Sequence, residues 1–192
     1  MINSSVKIFL ASKSPRRRKL LNQLNLKFKS FSVEMDEMIY KNEIPSKAVI
    51  RLSKEKLDLA KVRVKNGVII TADTIVVLNK MILGKPENKK DAFRILKLLS
   101  GKTHTVYTGY SIYNSANNKT ISEYEKTKVT FRVLTNEEIE DYIQGGSPMD
   151  KAGAYGIQDD FGAVFIKKIN GCYYNVVGLP LAKFYHSLLK IL

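Results

Sequence analysis

Residues 6–24 read VKIFLASKSPRRRKLLNQL, in which an apolar run is followed almost at once by a helical pattern. The apolar part, residues 6–11, predicts an opening strand. Ser14-Pro15 then predicts a helix start, because proline fits the first helical position. The leucines that share one face of this helix are Leu20, Leu21 and Leu24. A strand that leads directly into a helix favours an α/β fold.

The rest of the chain alternates strands and helices and then turns to strands that pair locally. Further helices are predicted over about Ser46–Lys65, between Pro86 and Gly101, from Thr135 to Gly145, and over Leu181–Leu192. Further strands are predicted over Val68–Leu78, Thr103–Tyr113, Ile121–Val133, Ala163–Ile169 and Cys172–Val177. The last two flank Asn170-Gly171, a strong signal for a two-residue hairpin. We therefore expect an α/β fold with a mixed central sheet and flanking helices, in one domain of residues 1–192.

The composition is that of a folded protein with excess positive charge. The 192 residues are 44% hydrophobic, which excludes a disordered chain, and no run approaches the roughly 18 apolar residues of a membrane span. The single cysteine, Cys172, excludes a disulfide framework and is expected in the core or a strand. We expect a cytoplasmic protein without membrane contacts. The formal net charge of +14 concentrates anions near the surface, whether nucleic acid, lipid or free nucleotide.

The loop that starts the first helix is the strongest candidate for an anion site. Arg16, Arg17 and Arg18 lie in the first helical turn, where the helix dipole disfavours cations. A bound polyanion removes this conflict, because Ser12 and Ser14 hydroxyls, free backbone N–H groups and arginine side chains then converge on phosphate oxygens. The alternative is a solvated basic helix end.

Asp73 and Lys56 are charged residues in apolar surroundings. Asp73 interrupts an apolar strand, so we expect it at a strand end that faces a polar site, as a general base or metal ligand. The alternative is a carboxylate that caps a local turn. Lys56 shares a helix face with apolar residues, and either its stem extends to water or its ammonium reaches a phosphate.

Three further places carry weaker signals. Lys85 precedes Pro86 in a rigid loop, where its charge meets either a phosphate or water. Asp36 and Glu37 are adjacent carboxylates that either share a divalent cation or face solvent. The segment of residues 150–158, DKAGAYGIQ, is rich in small residues and ends in Gln158, whose amide can pair with a base edge. Its alternative is a glycine-containing connector.

Taken in order, these motifs resemble the Maf family of nucleoside triphosphate pyrophosphatases over nearly the whole chain. The motifs are Leu10-Ala11-Ser12-x-Ser14-Pro15-Arg16-Arg17, Arg51-Leu52-x-x-x-Lys56, Ala72-Asp73-Thr74, Gly84-Lys85-Pro86, Leu99-Ser100-Gly101 and Asp150-Lys151-Ala152-Gly153-x-Tyr155-x-Ile157-Gln158. The resemblance implies a fold like that of inosine triphosphatase, with two lobes around a cleft. It also implies a divalent metal, Mg²⁺ or Mn²⁺, and hydrolysis of a nucleotide to its monophosphate and pyrophosphate.

The resemblance also implies roles for individual residues. Asp73 is similar to the family's proton acceptor, and Glu37 to the acidic residue that holds the metal together with it. The residues similar to phosphate-binding ones are Ser12, Arg16, Arg17, Lys56 and Lys85. Arg17, Thr74 and Gln158 match the branch that hydrolyses dTTP and UTP. Asp159-Asp160 depart from the family pattern, which is usually glycine-containing and uncharged there.

The implied partner is a small nucleoside triphosphate, and the implied assembly is a homodimer with no stable nucleic-acid complex. Two other classes of function stay open at this point. The family is linked to arrest of septum formation, so a regulator that binds nucleotide without turnover is the first alternative. A nucleic-acid binder is the second, and it requires basic residues and stacking aromatics on one continuous face.

Overall fold

The computed structural model describes residues 6–158 and 160–192, with Ser147 and Asp160 described by their backbone alone. The strands are β1 (Ile8–Ala11), β2 (Phe28–Phe31), β3 (Val68–Leu78), β4 (Met81–Leu83), β5 (Thr103–Asn114), β6 (Lys119–Phe131) and β7 (Ile166–Asn170). The helices are α1 (Pro15–Gln23), α2 (Pro45–Lys61), α3 (Lys89–Leu99), α4 (Asn136–Gln144), α5 (Tyr173–Val177) and α6 (Leu181–Ile191). Short 3₁₀ turns cover Ser147–Asp150, Ala152–Ala154 and Asp160–Phe165.

The strands form a mixed sheet, as the sequence predicts. The strand order is β2-β1-β3-β5-β6-β7, and β4 pairs with β3. β1 runs parallel to both β2 and β3, whereas β4 is antiparallel to β3 and β7 is antiparallel to β6. The expected α/β class is therefore confirmed. Strands β2 and β4 are short and were not predicted.

The chain divides into two compact units. The first contains the residues up to Asp73, Thr108–Glu125 and Gly178–Leu192, and the second contains Thr74–Tyr107 and Lys126–Val177. In the first unit, α2 packs on the sheet through a core of Ala11, Leu57, Ala60, Val64 and Ile69. Gly109 of β5 permits the close approach of α2, because a Cβ there would lie 2.4 Å from the Val49 carbonyl oxygen.

The second unit has a core of helix α3 and aromatic side chains. Ala92, Ile95, Leu96 and Leu99 are buried on one face of α3, as predicted. His104, Phe131, Tyr155, Phe165 and Tyr142 form a chain of mostly edge-to-face ring contacts. Gly153 adopts a positive φ of 73°, and a Cβ there would press on Val76 at 3.0 Å. The predicted capping box of α4 is present between Thr135 and Glu138.

The hairpin predicted at Asn170-Gly171 is wrong. Strand β7 pairs with β6, and the chain after Gly171 forms helix α5 instead of a second strand. Thr127 of β6 explains the change of direction. Its hydroxyl accepts hydrogen bonds from the Cys172 N–H at 3.1 Å and the Asn175 side-chain amide at 2.9 Å, and donates to the Cys172 carbonyl at 3.0 Å. Cys172 is accordingly half-buried between β7 and α5, neither in a strand nor fully in the core.

Within the described ranges 6–158 and 160–192, no helix combines the length and the apolar character that crossing a membrane requires.

Candidate active site

The loop between β1 and α1 is held together by hydrogen bonds to its own serine side chains. Ser14 caps α1, and its hydroxyl accepts a hydrogen bond from the Arg17 N–H at 3.4 Å. Ser12 is buried, and its hydroxyl accepts from the Ser14 N–H and from Arg17 Nη1, both at 3.2 Å. Arg17 Nε donates to the Gly178 carbonyl at 2.9 Å. The side chain of Arg17 is thus folded back over the loop, while Arg16 is half-buried beside it.

The electrostatics of Arg17 connect this loop to two carboxylates. Burial lowers the pKa of the Arg17 guanidinium, and the negative charges of Asp73 and then Glu37 act to raise it. Carboxylates act on a pKa in this way only when they lie nearby. The Asp73 and Glu37 carboxylates therefore lie close enough to Arg17, within the first unit, for their charges to interact with it.

Lys56 joins the two carboxylates directly. Its Nζ donates a hydrogen bond to Glu37 Oε1 at 2.7 Å and another, shorter one to Asp73 Oδ1. Lys56 and Asp73 are buried, with 7% and 5% of their surface exposed, whereas 43% of the Glu37 side chain is exposed. Lys56 does not extend to water. The ammonium is satisfied inside the protein by two opposite charges, which is what a buried lysine requires.

Asp73 lies in the interior of a strand, so the expectation that it ends one is wrong. It is the sixth residue of β3, which has 11 residues. The reason that a carboxylate is tolerated there is the uneven length of the neighbouring strands. The pairing of β1 with β3 reaches only Leu10 opposite Ile70, and β1 ends at Ala11. Asp73 therefore lies beyond the part of β3 that pairs with β1.

The donor set is compatible with a divalent cation. Mg²⁺ in nucleotide enzymes is usually held by one or two carboxylates together with substrate phosphates. Glu37 and Asp73 supply two such carboxylates, bridged by one ammonium. In the part of the chain that the structure describes, no three His, Cys, Asp or Glu side chains are grouped to hold a metal alone. Asp36 is exposed. The two carboxylates supply oxygen ligands of the kind that Mg²⁺ accepts.

The remaining predicted site residues belong to the second unit. Thr74 is half-buried and follows Asp73 in β3, where successive side chains point to opposite faces. Lys85 is exposed in the loop between β4 and α3. Gly153 N–H donates to the Gly84 carbonyl at 3.0 Å, so the Lys85 loop contacts the segment of residues 150–158. Gln158 is half-buried at the end of that segment, and Asp159 lies outside the described residues.

The structure also reveals contacts that the sequence reasoning missed. The Gly178 carbonyl, which orients Arg17, had no side-chain signal to predict it. His104 is buried, and its Nε2 is 2.7 Å from the Tyr155 hydroxyl. The Tyr142 hydroxyl accepts from the Gly156 N–H at 3.1 Å. These two contacts anchor the segment that ends in Gln158, and the strand position of His104 was the only available clue.

Comparisons with known proteins found a matching family, similar sequences and a similar fold. A family model described as Maf-like protein matches residues 7–191. A dTTP/UTP pyrophosphatase of Carboxydothermus hydrogenoformans is 46% identical over 183 residues, which are 95% of this chain and 97% of that relative. One of Syntrophomonas wolfei is 46% identical, with 94% and 95% covered. A HAM1 protein of Coxiella burnetii has the same fold, with a TM-score of 0.53, 12% identity, and 96% and 99% of the two chains covered.

Proposed function

The chain belongs to the Maf family, and from that premise we propose that it is a pyrophosphatase that hydrolyses dTTP and UTP to the nucleoside monophosphate and pyrophosphate. The observation that carries the proposal is the bridge of Lys56 between Asp73 and Glu37. Two of these charges, those of Lys56 and Asp73, are buried, and they have no packing role that apolar residues would not serve as well. They suit a polyanionic substrate that brings its own metal.

We assign the chemical step to Asp73. A water oxygen forms a bond to the α-phosphorus, the bond from that phosphorus to the bridging oxygen breaks, and pyrophosphate leaves. Asp73 accepts the proton of the attacking water. Its hydrogen bond from Lys56 holds the carboxylate in one orientation, as a general base requires.

The phosphate side of the site is assigned to the Ser12 loop and to lysines. The first turn of α1 offers backbone N–H groups, and Arg16, Arg17 and Lys56 add positive charge in the same unit. Lys85 is assigned to the phosphates because it is an exposed lysine in the loop between β4 and α3. The protein's contribution to phosphoryl chemistry is mainly positioning and charge stabilisation, and these groups supply both.

Glu37 and Asp73 are the residues that would hold Mg²⁺ or Mn²⁺. The metal, when bound, neutralises charge on the phosphate oxygens. Glu37 is suited to this role because its carboxylate is partly exposed and so accessible from solution. Asp73 is buried and would supply the second carboxylate to the metal.

Base selection is assigned to Arg17, Thr74 and Gln158. A site built to hydrogen-bond a pyrimidine edge rejects bases that leave its polar groups unpaired. The anchoring of residues 150–158 through Tyr155 and Gly156 supports this assignment, because a selective amide must be held in place. A cytoplasmic homodimer that forms no stable nucleic-acid complex completes the proposal.

The test is pyrophosphate release from a panel of nucleoside triphosphates with Mg²⁺ or Mn²⁺. Wild type is compared with Asp73→Asn and with the control Asp58→Asn, which changes an exposed aspartate of α2. We expect release from dTTP and UTP above purine triphosphates, a loss of about 10²- to 10⁴-fold in Asp73→Asn, and no loss in the control.

Other outcomes are equally informative. Full turnover by Asp73→Asn contradicts the assignment of the general base, and equal turnover of purine and pyrimidine triphosphates contradicts the specificity. Tight nucleotide binding by the wild type without any release favours a nucleotide-binding regulator of septum formation instead.

A further inference from the structure

Glu37 is carried by a segment that has no regular secondary structure. Residues 32–44 connect β2 to α2 without a helix or a strand. Such a segment lacks the repeated backbone hydrogen bonds of a sheet or helix, so its conformation depends on individual side-chain contacts. The question is which contacts keep Glu37 within reach of Lys56.

Arg51 of α2 supplies most of these contacts. Its Nε and Nη2 donate to the two carboxylate oxygens of Glu43, each at 2.7 Å. Nη2 also donates to the Met38 carbonyl at 2.9 Å, and Nη1 donates to Glu55 at 2.9 Å. The guanidinium carbon lies 4.2 Å from the centre of the Tyr40 ring. One side chain therefore contacts the segment at Met38, Tyr40 and Glu43.

These contacts affect Glu37 because they hold the backbone next to it. The Met38 carbonyl that Arg51 holds belongs to the residue directly after Glu37. Lys56, which binds the Glu37 carboxylate, is five residues after Arg51 on the same helix, α2. Arg51 thus fixes the backbone beside Glu37, and Lys56 fixes its side chain. The planar fork of an arginine suits this task, because its separate nitrogens reach both oxygens of Glu43 and the Met38 carbonyl, whereas a lysine offers one nitrogen.

We propose that Arg51 is a positioning residue for the pyrophosphatase reaction, which clamps residues 38–43 against α2 and so holds Glu37 at Lys56 and Asp73. It acts through Glu37 and contacts no substrate. The proposal rests on the proposed function, because it gives Glu37 a task in the reaction.

The first experiment follows the segment without using activity. Lys41 is exposed in the turn that Arg51 clamps, so trypsin cleavage after Lys41, identified by mass spectrometry, reports on release of the segment. In Arg51→Gln we expect cleavage after Lys41 to be faster by about tenfold or more, the factor expected from losing one charge-assisted hydrogen bond. Arg51→Lys and Glu43→Gln keep part of the contact and should give smaller increases.

The control is Arg94→Gln. Arg94 lies on α3 in the second unit and bonds to Asp91, at 2.9 Å from Nε, so it also loses an arginine–carboxylate pair. Cleavage after Lys41 should be unchanged in this variant. If Arg51→Gln cleaves no faster than wild type, the clamp does not exist and the proposal is overturned. Thermal unfolding of each variant, with a single transition near that of wild type, excludes global unfolding as the cause.

The second experiment measures the reaction. In Arg51→Gln we expect kcat for dTTP to fall by about 10- to 100-fold, as for other residues that orient a metal-binding group, with less change in KM. The divalent cation concentration for half-maximal activity should rise in parallel. Arg51→Gln is also introduced into a Glu37→Gln protein. If Arg51 acts through Glu37, adding Arg51→Gln to Glu37→Gln lowers kcat much less than it lowers that of wild type.

The outcomes separate the two proposals. Full additivity of Arg51→Gln and Glu37→Gln, or unchanged kcat in Arg51→Gln, overturns the positioning role. A wild type that hydrolyses no triphosphate overturns the proposed function and the role of Arg51 in it, while the cleavage ratio at Lys41 still decides whether Arg51 clamps the segment.

Discussion

Lys56 in the first unit and His104 in the second are both buried polar side chains, and the protein satisfies them by opposite means. Lys56 is 7% exposed and lies between two carboxylates. His104 is 1% exposed and lies among aromatic rings, with the Tyr155 hydroxyl 2.7 Å from Nε2. In the part of the chain that the structure describes, nothing bonds its Nδ1.

The difference is the one expected between the proposed site of chemistry and a site of packing. Burial lowers the pKa of His104 to about 4, so this ring is neutral at pH 7. This neutral ring and the Tyr155 hydroxyl are joined by a hydrogen bond among aromatic side chains, which orders the segment around Tyr155. The Lys56 group is charged, and its Glu37 carboxylate is partly exposed, so ions in solution can reach it. A buried ion pair contributes little net stability, which favours a functional reason for retaining it.

The largest effect should come from Lys56→Met. Removing the ammonium leaves Asp73 buried without its partner, so we expect a loss of about 3 kcal/mol in the free energy of unfolding. Turnover of dTTP should fall by about 100-fold or more, because a donor to developing charge is lost. Urea unfolding and pyrophosphate release measure the two effects. Lys54→Met, an exposed position on the same helix, is the control and should change neither. A Lys56→Met protein as stable and active as wild type would contradict the distinction between Lys56 and His104.

The second effect is a pH dependence that comes from His104. Its pKa is about 4 in the folded protein against 6.5 ordinarily, so between these pH values the unfolded chain binds more protons. Stability therefore falls as the pH is lowered from about 6.5 to about 4, and below that this group costs nothing further. The full loss is about 3 kcal/mol.

Urea unfolding of wild type and of His104→Phe across this pH range isolates the contribution. Carboxylates titrate in both proteins, so their effects cancel in the difference. As the pH falls from about 6.5 to about 4, the stability of wild type should fall relative to that of the variant by about 3 kcal/mol. Parallel curves over the whole range would show that His104 does not titrate as a buried neutral ring.

The smallest effect should come from Tyr155→Phe. This change leaves His104 Nε2 buried without a partner and should cost about 1 to 3 kcal/mol. The double variant His104→Phe with Tyr155→Phe removes both polar groups, so it should be more stable than the single variant. Thermal or urea unfolding tests the order. If the double variant is the less stable of the two, the pair contributes more than a satisfied neutral hydrogen bond.

Local signals predicted most of the fold. Ser14-Pro15 begins α1, Thr135 and Glu138 form the capping box of α4, and the apolar residues of α3 are the buried ones. Each of these features depends on residues a few positions apart, which a sequence displays directly. The hairpin at Asn170-Gly171 failed because Thr127, more than 40 residues earlier, binds the backbone of Cys172. Nothing local to residues 163–177 indicates that contact.

The site shows the same division. The sequence indicated that Asp73 and Lys56 needed partners, because charges in apolar patterns are costly without them. It did not indicate that they are partners of each other, and only the family resemblance placed Glu37 together with Asp73. That pairing depends on the packing of α2 across β1 and β3. It also depends on the pairing of β1 with β3, which ends at Ile70 and so does not reach Asp73.

The sequence by itself determined the α/β class, the starts of α1 and α4, the charged candidates and the resemblance to the Maf family, since all of these are properties of residue type and spacing. The tertiary structure alone decided that Lys56 bridges Asp73 and Glu37, that Arg17 is held by the Gly178 carbonyl, and that Arg51 clamps residues 38–43. The physical reason is distance along the chain. Hydrogen bonds and ion pairs extend about 3 Å in space, whereas these partners are brought together only by packing.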